Sequence, residues 1–103
     1  MNMVYANEAD VLNVALFGFT AKEWRDAHAD LQGNVRDYAS VNQLICLSNM
    51  ESLNSELIKQ RMPRDVRYEV LHRMAEEQLK VLNEQNAEYR FKKLTSVTEI
   101  TKD

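Results

Sequence analysis

The chain has 103 residues, enough for one hydrophobic core and too few for two well-packed domains. Its 45% hydrophobic and 28% charged residues exclude a wholly disordered chain, and two glycines and one proline are too few for the many turns of an all-β fold. The net charge of -3 disfavours direct binding to nucleic acid, which usually requires a basic surface.

The expected compartment follows from two further features of the sequence. Cys46 is the only cysteine, which excludes an internal disulfide, and its setting in the apolar run LICL is typical of a small buried side chain in a reducing compartment. No run approaches the roughly 18 uninterrupted apolar residues of a membrane-spanning helix, and the first residues lack the pattern of a signal peptide. We therefore expect a cytoplasmic protein without membrane contact.

The first predicted helix lies between Asn7, which is suited to cap it, and Gly18, which is suited to end it. Apolar residues occupy nearly every position from Val11 to Phe17. A helix with so small a polar face is predicted to be buried on most sides.

The second predicted helix begins at Thr20 and Glu23, which have the spacing of a capping box, and continues to Gly33. Its apolar residues fall at helical spacing on one face, so it is predicted to lie on the surface with a single apolar stripe. The stripe consists of Ala21, Trp24, Ala27, His28 and Leu31.

The stretch GNVRDYAS, residues 33–40, places charged and aromatic residues together at the bend before the third helix. Adjacent residues on a helix point about 100° apart, so Arg36 cannot face its neighbour in sequence and is predicted to pair with Asp26 or Asp30 across the bend. Tyr38 is predicted to bury its ring and keep its hydroxyl bonded. We call this group the predicted clasp: Arg25, Asp26, Arg36, Asp37 and Tyr38. The alternative of a catalytic or ligand site lacks a nucleophile with a base, a metal set and a glycine-rich anion cradle.

The third helix is predicted from Asn34 or Val41 through Gln60 and carries apolar residues on two sides. A helix that is apolar on two opposed sides is predicted to be sandwiched as the buried central helix of the fold. One stripe consists of Val41, Leu44, Leu47 and Ile58, and the other of Cys46, Met50, Leu53 and Leu57.

The fourth helix is predicted to follow Pro63 and to run from about Arg64 to Leu82 or beyond. Its extension, EQNAEYRFKKL, keeps three anchors on a charged strip that are suited to contact a partner: Tyr89, Phe91 and Leu94. The last stretch, TSVTEITKD, has no helical stripe and is predicted to be a frayed end or a short strand. We therefore divide the chain into a helical domain, residues 4–82, and an extension with a frayed tail, residues 83–103.

Two further clusters are candidate ligand sites. Glu69 and His72 form one Glu-x-x-His pair, whereas a di-metal helical bundle needs two such pairs and two more glutamates, so we expect no metal, cofactor or small-molecule substrate. A basic cluster near Pro63 provides an alternative contact to nucleic acid, although acidic residues are interleaved with it. It consists of Arg61, Arg64, Arg67 and Arg73.

Three stretches resemble the segment that follows the DNA-binding module in KilA-N domain proteins of bacteria and their phages. They are VYANEADVLNVALFG, TAKEWRDAH, and GNVRDYASVNQLICLSNMESLN with the following IKQ, and together they cover roughly residues 4–82. The resemblance implies that the DNA-binding module would precede Met1 and be absent here, and it supplies no catalytic residue. The sequence from about residue 83 onward does not take part in it.

The expected function is that of a non-catalytic accessory module of a KilA-N-type DNA-binding protein. We expect it to self-associate, with a dimer favoured, or to dock a partner, and to reach DNA only through the absent N-terminal module. Pairing two such modules would raise DNA affinity by increasing the effective concentration of the second one. Direct nucleic-acid contact is the alternative, and no constellation of residues supports a third possibility, an enzyme or toxin-like effector.

Overall fold

The structure, a computed structural model, describes the backbone of residues 7–102 and the side chains of residues 7–85. Within that range the elements follow in the order α1 (Glu8–Phe17), α2 (Ala21–Ala27), a short 3-10 helix (Val35–Tyr38), α3 (Val41–Lys59) and α4 (Arg64–Lys102). The predicted all-α fold with four helices and a long C-terminal helix is confirmed. No helix among the described residues combines the length and the apolar character needed to cross a membrane.

Hydrogen bonds from capping side chains fix where the helices begin. Asn7 Oδ1 accepts from the amide of Asp10 at 3.0 Å, and Thr20 and Glu23 form the predicted capping box. A further capping box, which the sequence analysis did not identify, joins Ser40 to Gln43 and starts α3. Consequently α3 begins at the later of its two predicted starts, and α2 ends at Ala27, earlier than predicted.

The core lies where α1, α3 and α4 meet. Because α1 is apolar almost all round, it can pack against both other helices, as predicted. The buried side chains form one cluster, against which Leu16, Leu53, Tyr68, Met74 and Leu79 also pack. The cluster consists of Val11, Leu12, Ala15, Cys46, Leu47, Met50, Leu71 and Ala75.

The two apolar stripes of α3 differ in burial. Cys46, Met50 and Leu57 of one stripe are buried in the core, as predicted. The prediction that the other stripe is also covered is wrong: Leu47 is buried, but Val41, Leu44 and Ile58 are exposed. Among the described residues, α1 and α4 cover only one side of α3, because α2 and the 3-10 helix mainly contact each other.

α4 extends past the helix beside it. Asn42 Nδ2 donates to Asn83 Oδ1 at 2.8 Å, so the first turn of α3 lies level with residue 83 of α4. From there the helical backbone continues without a break through Lys102, including the stretch for which the sequence predicted a frayed end or a strand. Residues 84–102 therefore extend about 28 Å past the start of α3.

Candidate functional site

The predicted clasp forms local bonds instead of a cross pairing. Within the described residues no ion pair joins Arg36 to Asp26 or Asp30. Asp26 instead pairs with Lys22 at 2.7 Å, one turn earlier on α2, and Asp37 Oδ2 accepts from the amide of Asn34 at 2.8 Å. The predicted pairing with Asp26 is wrong because Asp26 has a donor four residues away, and a bond within one helix costs less chain entropy than a bond across the bend.

Aromatic contacts hold the bend in place of the charges. Tyr38 packs its ring on the buried Trp24, with centroids 5.2 Å apart, and its hydroxyl donates to the carbonyl of Gln32 at 2.8 Å. The hydroxyl is bonded as predicted, but the ring is half-exposed instead of buried. The ring contact between Tyr38 and Trp24 joins the 3-10 helix to α2, so Tyr38 has a structural role. Arg25 is exposed.

The most extensive polar cluster among the described residues is centred on Glu8, which is not one of the predicted site residues. Glu8 Oε2 accepts from Arg67 at 2.7 Å and from Arg64 at 3.5 Å, and Glu8 Oε1 accepts from Asn54 Nδ2 at 3.0 Å. Arg67 also donates to the carbonyl of Met62 at 3.2 Å. These bonds tie the start of α1 to α3 and α4, and we call this group the Glu8 cluster.

The environment of Glu8 stabilises its charged form. Partial burial by itself raises the pKa of Glu8, but the hydrogen bond from Asn54 and the charges and bonds of Arg67 and Arg64 outweigh it. The net result is a pKa below the ordinary value of a glutamate. Glu8 is therefore ionised at neutral pH and neutralises a guanidinium whose side chain is only 7% exposed.

The Glu8 cluster also changes the interpretation of the basic residues near Pro63. Arg67 is buried and bonded within the fold, which disfavours its predicted contact with nucleic acid. Arg64 is partly exposed and also faces Glu8. Arg61 and Arg73 are exposed and do not belong to the Glu8 cluster. They are therefore the part of the predicted basic cluster that faces solvent away from Glu8.

His72 ties α4 to α1 instead of pairing with Glu69. Its Nδ1 lies 3.0 Å from the carbonyl of Ala15, its Nε2 lies 2.7 Å from Glu76 Oε1, and its ring stacks on Tyr68. Both ring nitrogens therefore face oxygen atoms, one on α1 and one on the next turn of α4. Among the described residues, no group of three or more His, Cys, Asp or Glu side chains has the arrangement of a metal site.

The clearest surface feature of the described residues is a set of large apolar side chains at the start of α3 and on the part of α4 level with it. Val41 is 72% exposed, Ile45 43% and Leu44 41%, on successive turns at the start of α3, and Val81 of α4 is 49% exposed. We call these four residues the exposed flank. Val41 and Leu44 belong to the stripe that is predicted to be buried, and Ile45 belongs to neither predicted stripe.

A groove of about 380 Å³ lies along the same seam. It is lined by Asn49, Glu77, Gln78, Val81 and Leu82, and Val81 belongs to both the groove and the exposed flank. Asn49 Nδ2 donates to Gln78 Oε1 at 3.1 Å, so polar bonds bridge the two helices on either side of Ile45. The seven-residue spacing of Asn42 and Asn49 is the sequence signal that would have placed Ile45 on this seam.

The three predicted partner anchors, Tyr89, Phe91 and Leu94, lie on α4 outside the residues whose side chains the structure describes. Their contact with a partner therefore stays a prediction. Comparison with protein-family models, with curated proteins and with solved structures finds no match to this chain.

Proposed function

We propose that this chain is a non-catalytic helical module that self-associates, with a dimer favoured, in the cytoplasm as part of a KilA-N-type DNA-binding protein. The observation that carries the proposal is the exposed flank: four large apolar side chains on neighbouring turns of two packed helices. Single apolar residues are common on protein surfaces, whereas an apolar group of this kind beside a groove is typical of an interaction site.

The polar clusters support the same proposal because their bonds join helices of the fold, which is a structural role. The Glu8 cluster joins three helices, and His72 joins α4 to α1. Both are tied to backbone or side-chain partners within the chain, which accounts for their charged groups without a substrate. The exposed flank, in contrast, is apolar, and burial of apolar surface is the main driving force of protein association.

The test compares two isoleucines of the same helix. Ile45 lies in the exposed flank and Ile58 lies at the other end of α3, and both side chains are 43% exposed. We expect Ile45→Lys to reduce the dimer fraction measured by light scattering, because an ammonium group cannot be buried without a partner. Ile58→Lys, which makes the same change outside the flank, is expected to leave the dimer fraction unchanged. Equal effects of the two variants would contradict the proposal.

The alternative, direct contact with nucleic acid through Arg61, Arg64, Arg67 and Arg73, is weakened because Arg67 is buried against Glu8. Titration with duplex DNA at low and moderate salt separates the two functions. Salt-sensitive binding that is lost on changing Arg61 and Arg73 to glutamine would favour the alternative.

A further inference from the structure

We propose that the groove between α3 and α4 receives the α4 extension of a second copy of this chain, residues 88–94, in a reciprocal antiparallel dimer. This inference rests on the proposed function and specifies its interface. Each copy would supply one groove and one extension, so the same contact would form twice around a two-fold axis, as in most homodimers.

Charge complementarity identifies a second copy as the occupant. The groove is lined by one carboxylate, two amides and two apolar side chains: Glu77, Asn49, Gln78, Val81 and Leu82. Residues 88–94, EYRFKKL, contain three basic residues and one acidic residue, a net charge of +2, interleaved with the three predicted anchors. The rest of the chain is acidic, because the whole carries a net charge of -3. A basic segment with apolar residues is thus matched to a groove that presents one carboxylate and two apolar side chains.

The length of α4 makes this contact geometrically possible. The helix continues for 19 residues past Asn83, where α3 begins beside it. Most of the stability of a helix in a protein comes from packing, so an extension of this length is expected to pack against a neighbour. On α4, residues 88–94 begin about one and a half helical turns after the groove. A straight helix cannot fold back on itself, so these residues cannot reach the groove of their own chain. The extension that fills the groove must therefore come from a second copy.

The same geometry accounts for the exposed flank. When residues 88–94 of one copy lie antiparallel to residues 77–82 of the other, the two-fold axis passes near residue 85 of both α4 helices. The bond between Asn42 and Asn83 places the first turn of α3 next to that point. Val41 and Ile45, two of the most exposed apolar side chains on α3, would then lie close to the axis, where the second copy covers them.

The test reverses the charge on each side of the proposed contact in the full-length chain. One variant carries Glu77→Lys, and the other carries Arg90→Glu with Lys93→Glu, one helical turn apart. We expect each variant alone to raise the dimer dissociation constant by about tenfold or more, because like charges would then face each other in both contacts. An equimolar mixture is expected to return to within about threefold of the unmodified chain, because both contacts in the mixed dimer pair opposite charges.

A matched control makes the same charge change away from the groove. Glu51 is exposed on α3 and points about 160° from Asn49, so Glu51→Lys is expected to leave the dissociation constant unchanged. Circular dichroism and thermal unfolding of every variant exclude loss of the fold as the cause. All these substitutions lie at exposed positions or on the extension, away from the buried core cluster.

Three results would overturn the inference. A dimer that Ile45→Lys dissociates but neither charge reversal weakens would leave the proposed function standing and remove this interface. A chain that is monomeric at every concentration would remove both. Salt-sensitive binding of duplex DNA by a monomer, lost in the variant with Arg90→Glu and Lys93→Glu, would assign the basic segment to nucleic acid instead.

Discussion

Replacing Glu8 by alanine is predicted to destabilise the fold by about 2 kcal/mol. Among the described residues, the change removes the carboxylate bonded to the buried Arg67, which also accepts from the Asn54 amide. Removing one partner of a fully buried ion pair costs about 3–5 kcal/mol, and a hydrogen bond to a charged group contributes about 1.5–3 kcal/mol. The lower figure applies because the Glu8 side chain is 38% exposed, so solvent screens part of its interaction, and because Arg67 keeps its bond to Met62.

Urea unfolding followed by circular dichroism, at one fixed low protein concentration, measures this loss as a shift of the midpoint with an unchanged slope. Glu51→Ala is the control, because Glu51 is an exposed glutamate outside the cluster, and it is expected to change the free energy of unfolding by less than about 0.5 kcal/mol. A Glu8→Ala variant as stable as the control would refute the conclusion that the Glu8 cluster joins α1 to α3 and α4.

The remaining predictions concern pH, the core and the bend. The pKa of Glu8 in the folded chain lies below its ordinary value of 4.5, so its charge stabilises the fold above pH 4.5. This stabilisation is lost as the pH falls through the lower pKa of the folded state. The free energies of unfolding of the unmodified chain and of Glu8→Gln, measured as a function of pH, should therefore converge at low pH. Met50→Ala, at a fully buried core position, should cost about 2–5 kcal/mol in urea unfolding. Gly33→Ala should cost more than Gly18→Ala in the same assay: both glycines have φ near +90°, but only at Gly33 would the added methyl collide with a side chain, the carboxylate of Asp37.

The features that could be predicted from the sequence are those determined by residues close together in the chain. The Asn7 cap, the capping box of Thr20 and Glu23, and the end of α1 at Gly18 all depend on contacts within four residues, and the structure contains each of them. The capping box of Ser40 and Gln43 also depends on residues three positions apart, so it could have been predicted from the sequence in the same way. Local hydrogen bonding therefore accounts for most of the helix boundaries.

The features that could not be predicted depend on contacts between distant residues. Glu8 and Arg67 are 59 positions apart, and nothing in the neighbourhood of either residue indicates the other. The two stripes of α3 are similarly apolar, so periodicity could not determine which of them faces α1 and α4. The exposed flank arises from that choice, and for this reason the surface that carries the proposed function could be identified only from the fold.

Sedimentation velocity of the unmodified chain over a wide dilution series tests the central claim, self-association through the exposed flank, most directly. We predict a reversible equilibrium in which the weight-average mass rises with concentration from 12.0 kDa towards twice that value. A mass that stays at 12.0 kDa up to high micromolar concentration would contradict the claim.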